Sequence, residues 1–98
     1  MKLAIDLLCG IGHSSKELAI CHDVVIAVDC LNVIQLQDFH QNTKDFNNII
    51  LIKMPPDQVA KWLRPNSATT IRINTTDENK QRYFKNLYEN IGPILVGV

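Results

Sequence analysis

The feature that most constrains the fold of this chain is an apolar segment that leads directly into a glycine-rich turn. Residues 3–8 are apolar apart from Asp6, and the tetrapeptide Cys9-Gly10-Ile11-Gly12 follows them. A helical pattern begins next, with Ser14 or Ser15 expected to cap the helix. Glycines let the backbone turn sharply and approach a bound molecule, and a helix N-terminus offers unpaired N–H groups. This order of elements predicts the ligand crevice of an α/β protein.

Strand-type and helix-type segments alternate along the rest of the chain. The predicted strands are residues 2–8, 24–28, 48–54, 68–74 and 94–98, and the predicted helices are residues 15–21, 31–39, 55–63 and 77–90. Because each connection is long enough for a crossover, the strands are expected to be parallel and covered on both faces. The sequence therefore predicts one α/β domain over residues 1–98, a doubly wound, mostly parallel five-stranded sheet in the order 3-2-1-4-5.

The longest predicted helix, residues 77–90, is amphipathic. Thr76 or Asp77 is expected to cap it, and Trp62 is expected to anchor the short helix before it. The apolar residues of the long helix recur at three- and four-residue steps and predict one buried face. This face is formed by Tyr83, Phe84, Leu87, Tyr88 and Ile91.

Composition excludes some classes of function. Ten basic and ten acidic residues give a formal net charge of zero, so the chain has no overall attraction for nucleic acid or an anionic membrane. DNA stays a candidate partner only through a local patch of positive charge on the surface. No apolar segment approaches the roughly 20 residues needed to cross a bilayer, and the first strand begins too early for a signal peptide.

Cysteine and histidine spacing gives no indication of disulfides or of a metal site. The chain has three cysteines and no C-x-x-C pair, which is typical of reduced thiols in a cytoplasmic protein. The histidines do not fall at zinc-site spacings. The residues concerned are Cys9, Cys21, Cys30, His13, His22 and His40.

The segment DLLCGIG, residues 6–12, resembles motif I (DLFCGxG) of the DNA cytosine-C5 methyltransferases, Rossmann-like enzymes that use S-adenosylmethionine (SAM). The resemblance implies that SAM is the cofactor, that Asp6 approaches its amino-acid part, and that Cys9, Gly10 and Gly12 lie beside it. Asp6 could instead serve to fix the turn. A different nucleotide-binding α/β protein with a chance Gly-x-Gly is the alternative for the whole motif.

Asp29 follows the predicted second strand and is the second candidate for cofactor binding. In Rossmann-like folds an acid at this place accepts hydrogen bonds from ribose hydroxyls. The segment VVIAVDC resembles motif II of the same family, which implies that Asp29 and the adjacent Cys30 lie at the cofactor. The alternative for Asp29 is a cap of the next helix. Asp57, after the third predicted strand, is the nearest candidate for the adenine.

The catalytic motifs of these enzymes are missing. The resemblance leads us to expect a Pro-Cys nucleophile after the fourth strand, or an Asn/Asp-Pro-Pro-Tyr-like motif as in amino-methyltransferases. This chain has Asn74-Thr75-Thr76 there and no Pro-Cys anywhere. Asn74 keeps the first position of the second motif and is a candidate at the cofactor, but no catalytic residue can be assigned.

Two functions are consistent with this pattern. One is a minimal or truncated methyltransferase-like protein, such as a DNA methyltransferase half or subunit that needs a partner. The other is a catalytically inactive SAM-fold module for regulation or protein binding. The last predicted strand, residues 94–98, is apolar, and an exposed sheet edge can pair with another chain. We therefore expect a homodimer or a different partner at this edge, with simple exposure to solvent as the alternative.

Overall fold

The computed structural model describes residues 1–97 of the chain. Strands and α-helices alternate throughout those residues, and a 3₁₀ turn follows the third helix. The strands are β1 (Leu3–Leu7), β2 (Val24–Val28), β3 (Ile49–Ile52), β4 (Thr70–Asn74) and β5 (Ile94–Gly97); the helices are α1 (His13–Cys21), α2 (Val33–Thr43), α3 (Pro56–Val59) and α4 (Glu78–Tyr88); the 3₁₀ turn is Ala60–Trp62.

The strands form one parallel sheet in the order β3-β2-β1-β4-β5, as predicted. β1 lies at the centre, where Ile5 is opposite Ile26 of β2 and Ile71 of β4. Each strand is followed by a helical crossover, and this connection is what makes neighbouring strands parallel. The carboxyl ends of β1, β2 and β4 consequently meet at one edge of the sheet.

Alternate residues of the strands pack against different helices. On the side that we call the α4 face, Ile5 and Leu7 pack with Phe84 and Tyr88. On the opposite side, the α1 face, Ala4 and Val25 pack with Leu18 and Ala19 of α1. A third cluster on the α1 face places α2 over β2 and comprises Cys9, Ala27, Leu31 and Phe39. This period of two explains why β1 is buried on both faces.

Side-chain caps set where two of the helices begin. Asn32 accepts a hydrogen bond from Gln35 N at 2.8 Å, and Gln35 Oε1 accepts one from Asn32 N at 3.0 Å, a reciprocal capping box. α2 therefore starts two residues after the predicted position and runs four residues further, to Thr43. Asp77 Oδ1 accepts from Asn79 N at 2.9 Å and caps α4, which confirms one of the two predicted caps.

Two predictions of buried aromatic residues are wrong. Tyr83 is 51% exposed and Trp62 is 67% exposed. The buried side of α4 is centred on Phe84 and Tyr88, and Tyr83 lies beside Phe84 with its ring in an edge-on contact. Trp62 ends the 3₁₀ turn and points its ring largely into solvent. None of the helices within residues 1–97 has the length and apolarity needed to cross a membrane.

Candidate cofactor-binding site

The loop between β1 and α1 is fixed to the end of β2 by backbone hydrogen bonds. The N–H groups of Leu8 and Cys9 both donate to Val28 O, at 2.8 and 3.4 Å. Leu8 has a φ of 58°, in the left-handed region that a non-glycine residue rarely adopts. The extended backbone therefore ends at Leu7, one residue before the predicted end, and the loop begins there.

The two glycines of the loop have different structural roles. Gly12, with φ 96°, is the N-cap of α1, and a Cβ there would lie 2.9 Å from Thr43 Cγ2 and 3.1 Å from Phe39 Cδ2. Gly12 therefore lets the loop pack closely on α2. Gly10 has a φ of 55°, and a Cβ there would meet no atom within 4 Å. One side of Gly10 thus faces open space, and a ligand can approach the backbone there.

Asp29 connects the end of β2 to this glycine loop. Its Oδ2 accepts a hydrogen bond from Gly10 N at 3.0 Å, and its Oδ1 accepts one from Cys30 N at 2.8 Å. It does not cap α2, because Asn32 does. A carboxylate has about four acceptor positions, and Asp29 is only half-buried. It therefore keeps acceptor capacity for the hydroxyl groups of a ligand.

Asp6 lies under the loop and is completely buried. Its Oδ2 accepts hydrogen bonds from the hydroxyls of Ser14 and Ser15, at 2.6 and 2.7 Å, and its Oδ1 accepts one from Asn74 Nδ2 at 2.6 Å. The prediction that Ser14 or Ser15 caps α1 is wrong, because both hydroxyls point to Asp6. In the sequence, the only indication of these two hydrogen bonds was the pair of adjacent serines after the glycine turn. Two serines at this place are equally typical of a helix cap.

Burial raises the pKa of the Asp6 carboxyl, while the hydrogen bonds from Ser14, Ser15 and Asn74 and the charge of Arg72 oppose this rise. Asn74 also donates to Leu7 O at 2.9 Å, so both hydrogens of its amide group bind β1. Asp6 and Asn74 together join the ends of β1 and β4 to the start of α1. In this geometry Asp6 fixes the turn, which was one of its two predicted roles.

The cysteines of the two motifs differ in accessibility. Cys9 is 6% exposed and packs with Ala27 and Phe39. Burial raises the pKa of its thiol, with smaller contributions from the charges of Asp6 and Asp29, so it stays protonated and is a poor nucleophile. Cys30 is exposed and lies beside Asp29. Its side chain is therefore accessible at the rim of the site.

Asp57 lies in the first turn of α3 and makes no direct hydrogen bond to the other predicted site residues within residues 1–97. Its neighbour Pro56 accepts a hydrogen bond from the Tyr88 hydroxyl at 2.5 Å. Burial, with a smaller contribution from the Asp57 charge, raises the pKa of Tyr88. The charge of Asp57 thus acts on Tyr88 of α4, and its assignment to the adenine stays a prediction.

The structure brings most of the predicted site together at the carboxyl ends of β1, β2 and β4. The residues that meet there are Asp6, Cys9, Gly10, Gly12, Asp29, Cys30 and Asn74. Within residues 1–97 no group of three or more histidines, cysteines or acids is arranged to hold a metal ion. The arrangement offers a glycine backbone, carboxylate acceptors and an open approach, which suits a nucleoside ligand. Ligand contacts of these residues stay predictions.

Comparisons with known proteins concern structure alone. No protein-family model matches the chain, and no curated protein matches its sequence. An rRNA methylase from Streptococcus thermophilus superposes with a TM-score of 0.74 at 16% identity, over 97% of this chain and 61% of that one. A candidate methyltransferase from Streptococcus mutans, solved with S-adenosylhomocysteine (SAH), gives 0.73 at 17% identity, over 93% of this chain and 57% of that one.

Phosphoethanolamine N-methyltransferase 1 from Haemonchus contortus, in complex with phosphoethanolamine and SAH, gives a TM-score of 0.79 at 14% identity, over 97% of this chain and 22% of that one. The chain therefore shares its fold with these methyltransferases. The chain spans between 22% and 61% of the length of these structures. Nothing in these comparisons points to the DNA cytosine-C5 methyltransferases in particular.

Proposed function

We propose that this protein binds SAM at the glycine loop and acts as a methyltransferase-like subunit that relies on a partner for its methyl acceptor. The observation that carries the proposal is the hydrogen bond from Gly10 N to Asp29 Oδ2, with open space on the other side of Gly10. It links motif I to motif II at the sheet edge where ligands of doubly wound folds bind.

The residues present fit SAM. The open side of Gly10 admits the cofactor to the loop backbone, and Asp29 keeps acceptor capacity for ribose hydroxyls. Asp29 supplies negative charge beside a cofactor that carries a sulfonium and an ammonium group, and Asp6 fixes the loop from beneath. Bound SAM would supply an electrophilic methyl group, and the part of this chain would be to bind and orient it. Cys30 would lie at the rim, and Asp57, in the first turn of α3, is the candidate for the adenine.

A narrower proposal, a role in DNA cytosine methylation, rests on the DLLCGIG motif. For that chemistry the chain lacks an accessible cysteine after β4, where Asn74-Thr75-Thr76 stands. Cys9 is buried, with a raised thiol pKa. The nucleophile would therefore have to come from a second polypeptide, which would also have to recognise the DNA.

The second candidate function is an inactive SAM-fold module that regulates or binds another protein. One observation favours it: the amide of Asn74 donates to Asp6 Oδ1 and Leu7 O. Asn74 occupies the first position of an amino-methyltransferase motif, but its donors already bind the protein. The side chain of Asn74 therefore has a structural role, joining β4 to β1, that requires no methyl acceptor.

Isothermal titration of the purified chain with SAM and with SAH tests the binding proposal. The test variant is Gly10→Asn, which keeps a residue tolerant of φ 55° and places a side chain in the open space. The matched control is Asn66→Gly, because Asn66 also has a positive φ, 58°, and lies in the loop before β4, at the opposite edge of the sheet. Circular dichroism and thermal melting verify that both variants fold.

Saturable binding of SAM and SAH that is lost in Gly10→Asn and retained in Asn66→Gly supports the site. Absence of binding up to millimolar ligand contradicts the binding proposal. Unchanged binding in Gly10→Asn would mean that SAM binds at a site other than the glycine loop. Transfer of a radiolabelled methyl group from SAM to DNA, assayed with the chain alone and with cell extract, then separates the two functions. Methyl incorporation that depends on the chain supports the subunit function. Absence of incorporation supports the inactive module.

A further inference from the structure

The glycine loop, residues 9–12, is tethered from two sides. On the β2 side, Gly10 N donates a hydrogen bond to Asp29 Oδ2 at 3.0 Å. On the α2 side, Asn42 Nδ2 donates one to Ile11 O at 2.8 Å, although the two residues are 31 positions apart in the chain. Gly10, where a ligand can approach the backbone, therefore lies between two tethered peptide groups.

The hydrogen bond from Asn42 to the loop is well formed and directional. A carbonyl oxygen only accepts, so the amide group must turn its nitrogen toward Ile11 O, and 2.8 Å is a normal length for such a bond. Asn42 is half-buried in the last turn of α2. Asparagine forms helices less readily than glutamine or lysine does. Helix formation thus does not account for an asparagine at this position, whereas the bond to the loop does.

The neighbours of Asn42 hold α2 against the same loop. Phe39, one turn before Asn42, and Thr43, directly after it, are both buried. They leave no room for a side chain at Gly12, where a Cβ would lie 2.9 Å from Thr43 and 3.1 Å from Phe39. The Thr43 hydroxyl donates to Phe39 O at 2.8 Å, within the helix. These packing contacts set the distance between α2 and the loop, and the bond from Asn42 adds a fixed direction for one loop carbonyl.

We propose that Asn42 is a positioning residue for the cofactor, because its bond to Ile11 O holds the glycine loop in the conformation that leaves one side of Gly10 open. Glycine has more backbone freedom than any other residue, and Gly10 and Gly12 both have a positive φ. A loop that must first become ordered binds its ligand more weakly. Asn42 orders the loop before the ligand arrives. The inference rests on the proposed function for the identity of the ligand, SAM.

Isothermal titration with SAM compares the wild type with Asn42→Asp. This variant keeps the size of the side chain and replaces the donor by a carboxylate oxygen, which repels Ile11 O. We expect the dissociation constant of SAM to rise by about tenfold or more, because the tether is lost. Asn42→Gln, which keeps an amide donor, should recover part of the lost affinity.

The matched control is Asn48→Asp. Asn48 is also half-buried, and its Nδ2 also donates to backbone carbonyls, Ala19 O at 3.0 Å and His22 O at 3.1 Å. It lies just before β3, at the edge of the sheet opposite to the glycine loop. Asn48→Asp should bind SAM as the wild type does, although it loses two hydrogen bonds. An equal loss of affinity in the variants at both positions overturns the proposal. Circular dichroism and thermal melting establish that each variant folds.

Amide hydrogen exchange of the protein without ligand separates this inference from the cofactor proposal. Gly10 N and Gly12 N both donate hydrogen bonds, and they should exchange about tenfold faster in Asn42→Asp than in the wild type or Asn48→Asp. If the wild type does not bind SAM but these amides respond as expected, the cofactor proposal fails and the ordering of the loop by Asn42 stands. Unchanged exchange in Asn42→Asp overturns the inference, as does binding of SAM by Asn42→Asp with the affinity of the wild type.

Discussion

Asp6 is the residue on which the candidate site depends most directly. Desolvation makes a buried carboxylate costly, and the cost is tolerable only where donors satisfy its oxygens. Ser14, Ser15 and Asn74 supply those donors from α1 and β4. The sequence could single out Asp6 by its place in the motif. It could not assign these partners, because one of them is distant in the chain and arrives only when β4 pairs with β1.

Asp6 gives the stability of the protein a specific pH dependence. Burial raises the pKa of its carboxyl above the ordinary value of 3.8, so the native state binds this proton more tightly than the unfolded state does. Stability contributed by the protonated carboxyl is therefore fully present below pH 3.8 and decreases as the pH rises through the raised native pKa. Asp6→Asn, which cannot titrate, removes this dependence.

Urea unfolding of the wild type and of Asp6→Asn across acidic and neutral pH measures the effect. We expect the free energy of unfolding of the wild type, minus that of the variant, to decrease with pH through this window and then level off. The subtraction cancels the other titrating groups that the two proteins share. A difference that increases with pH would mean that the hydrogen bonds to Asp6 outweigh its desolvation.

The elements themselves were largely predictable, whereas their ends were not. The apolar run of β2 was predicted with the bounds that the structure has, Val24–Val28, because a continuous run of such residues is typical of a strand covered on both faces. β1 ends early because Leu8 takes a positive φ that the loop imposes. Leu31 was assigned to a helix by its apolar spacing, yet it precedes the Asn32 cap and packs in the core.

α4 begins at a side-chain cap, in addition to packing Phe84 and Tyr88 on the sheet. Asp77 Oδ1 accepts from Asn79 N at 2.9 Å and from Lys80 N at 3.3 Å, and its charge favours the helix N-terminus. We expect Asp77→Ala to lower the free energy of unfolding by about 1 kcal/mol. Asp77→Asn, which keeps the acceptor oxygen, should lose clearly less. Urea unfolding at neutral pH compares them, and equal losses would attribute the effect to charge alone.

At the scale of the whole molecule, one sheet supports both the core and the site. Helices cover its two faces, so the strand order determines which ends meet at Gly10 and Asp29. The sequence predicted this order from the alternation of elements, and with it the meeting of Asp6, Gly10, Asp29 and Asn74. The position of α3, whose Pro56 accepts a hydrogen bond from Tyr88 of α4, is a packing detail that spacing in the chain does not contain, and the role of Asp57 at the adenine stays a prediction.

The strand order also predicts how the molecule opens, which native-state hydrogen exchange can measure. The amides of β1, buried between β2 and β4, should exchange only by global unfolding and be the slowest, and those of the edge strands β3 and β5 should exchange faster. Exchange of the β1 amides as fast as that of the β3 amides would contradict the central position of β1 in the sheet.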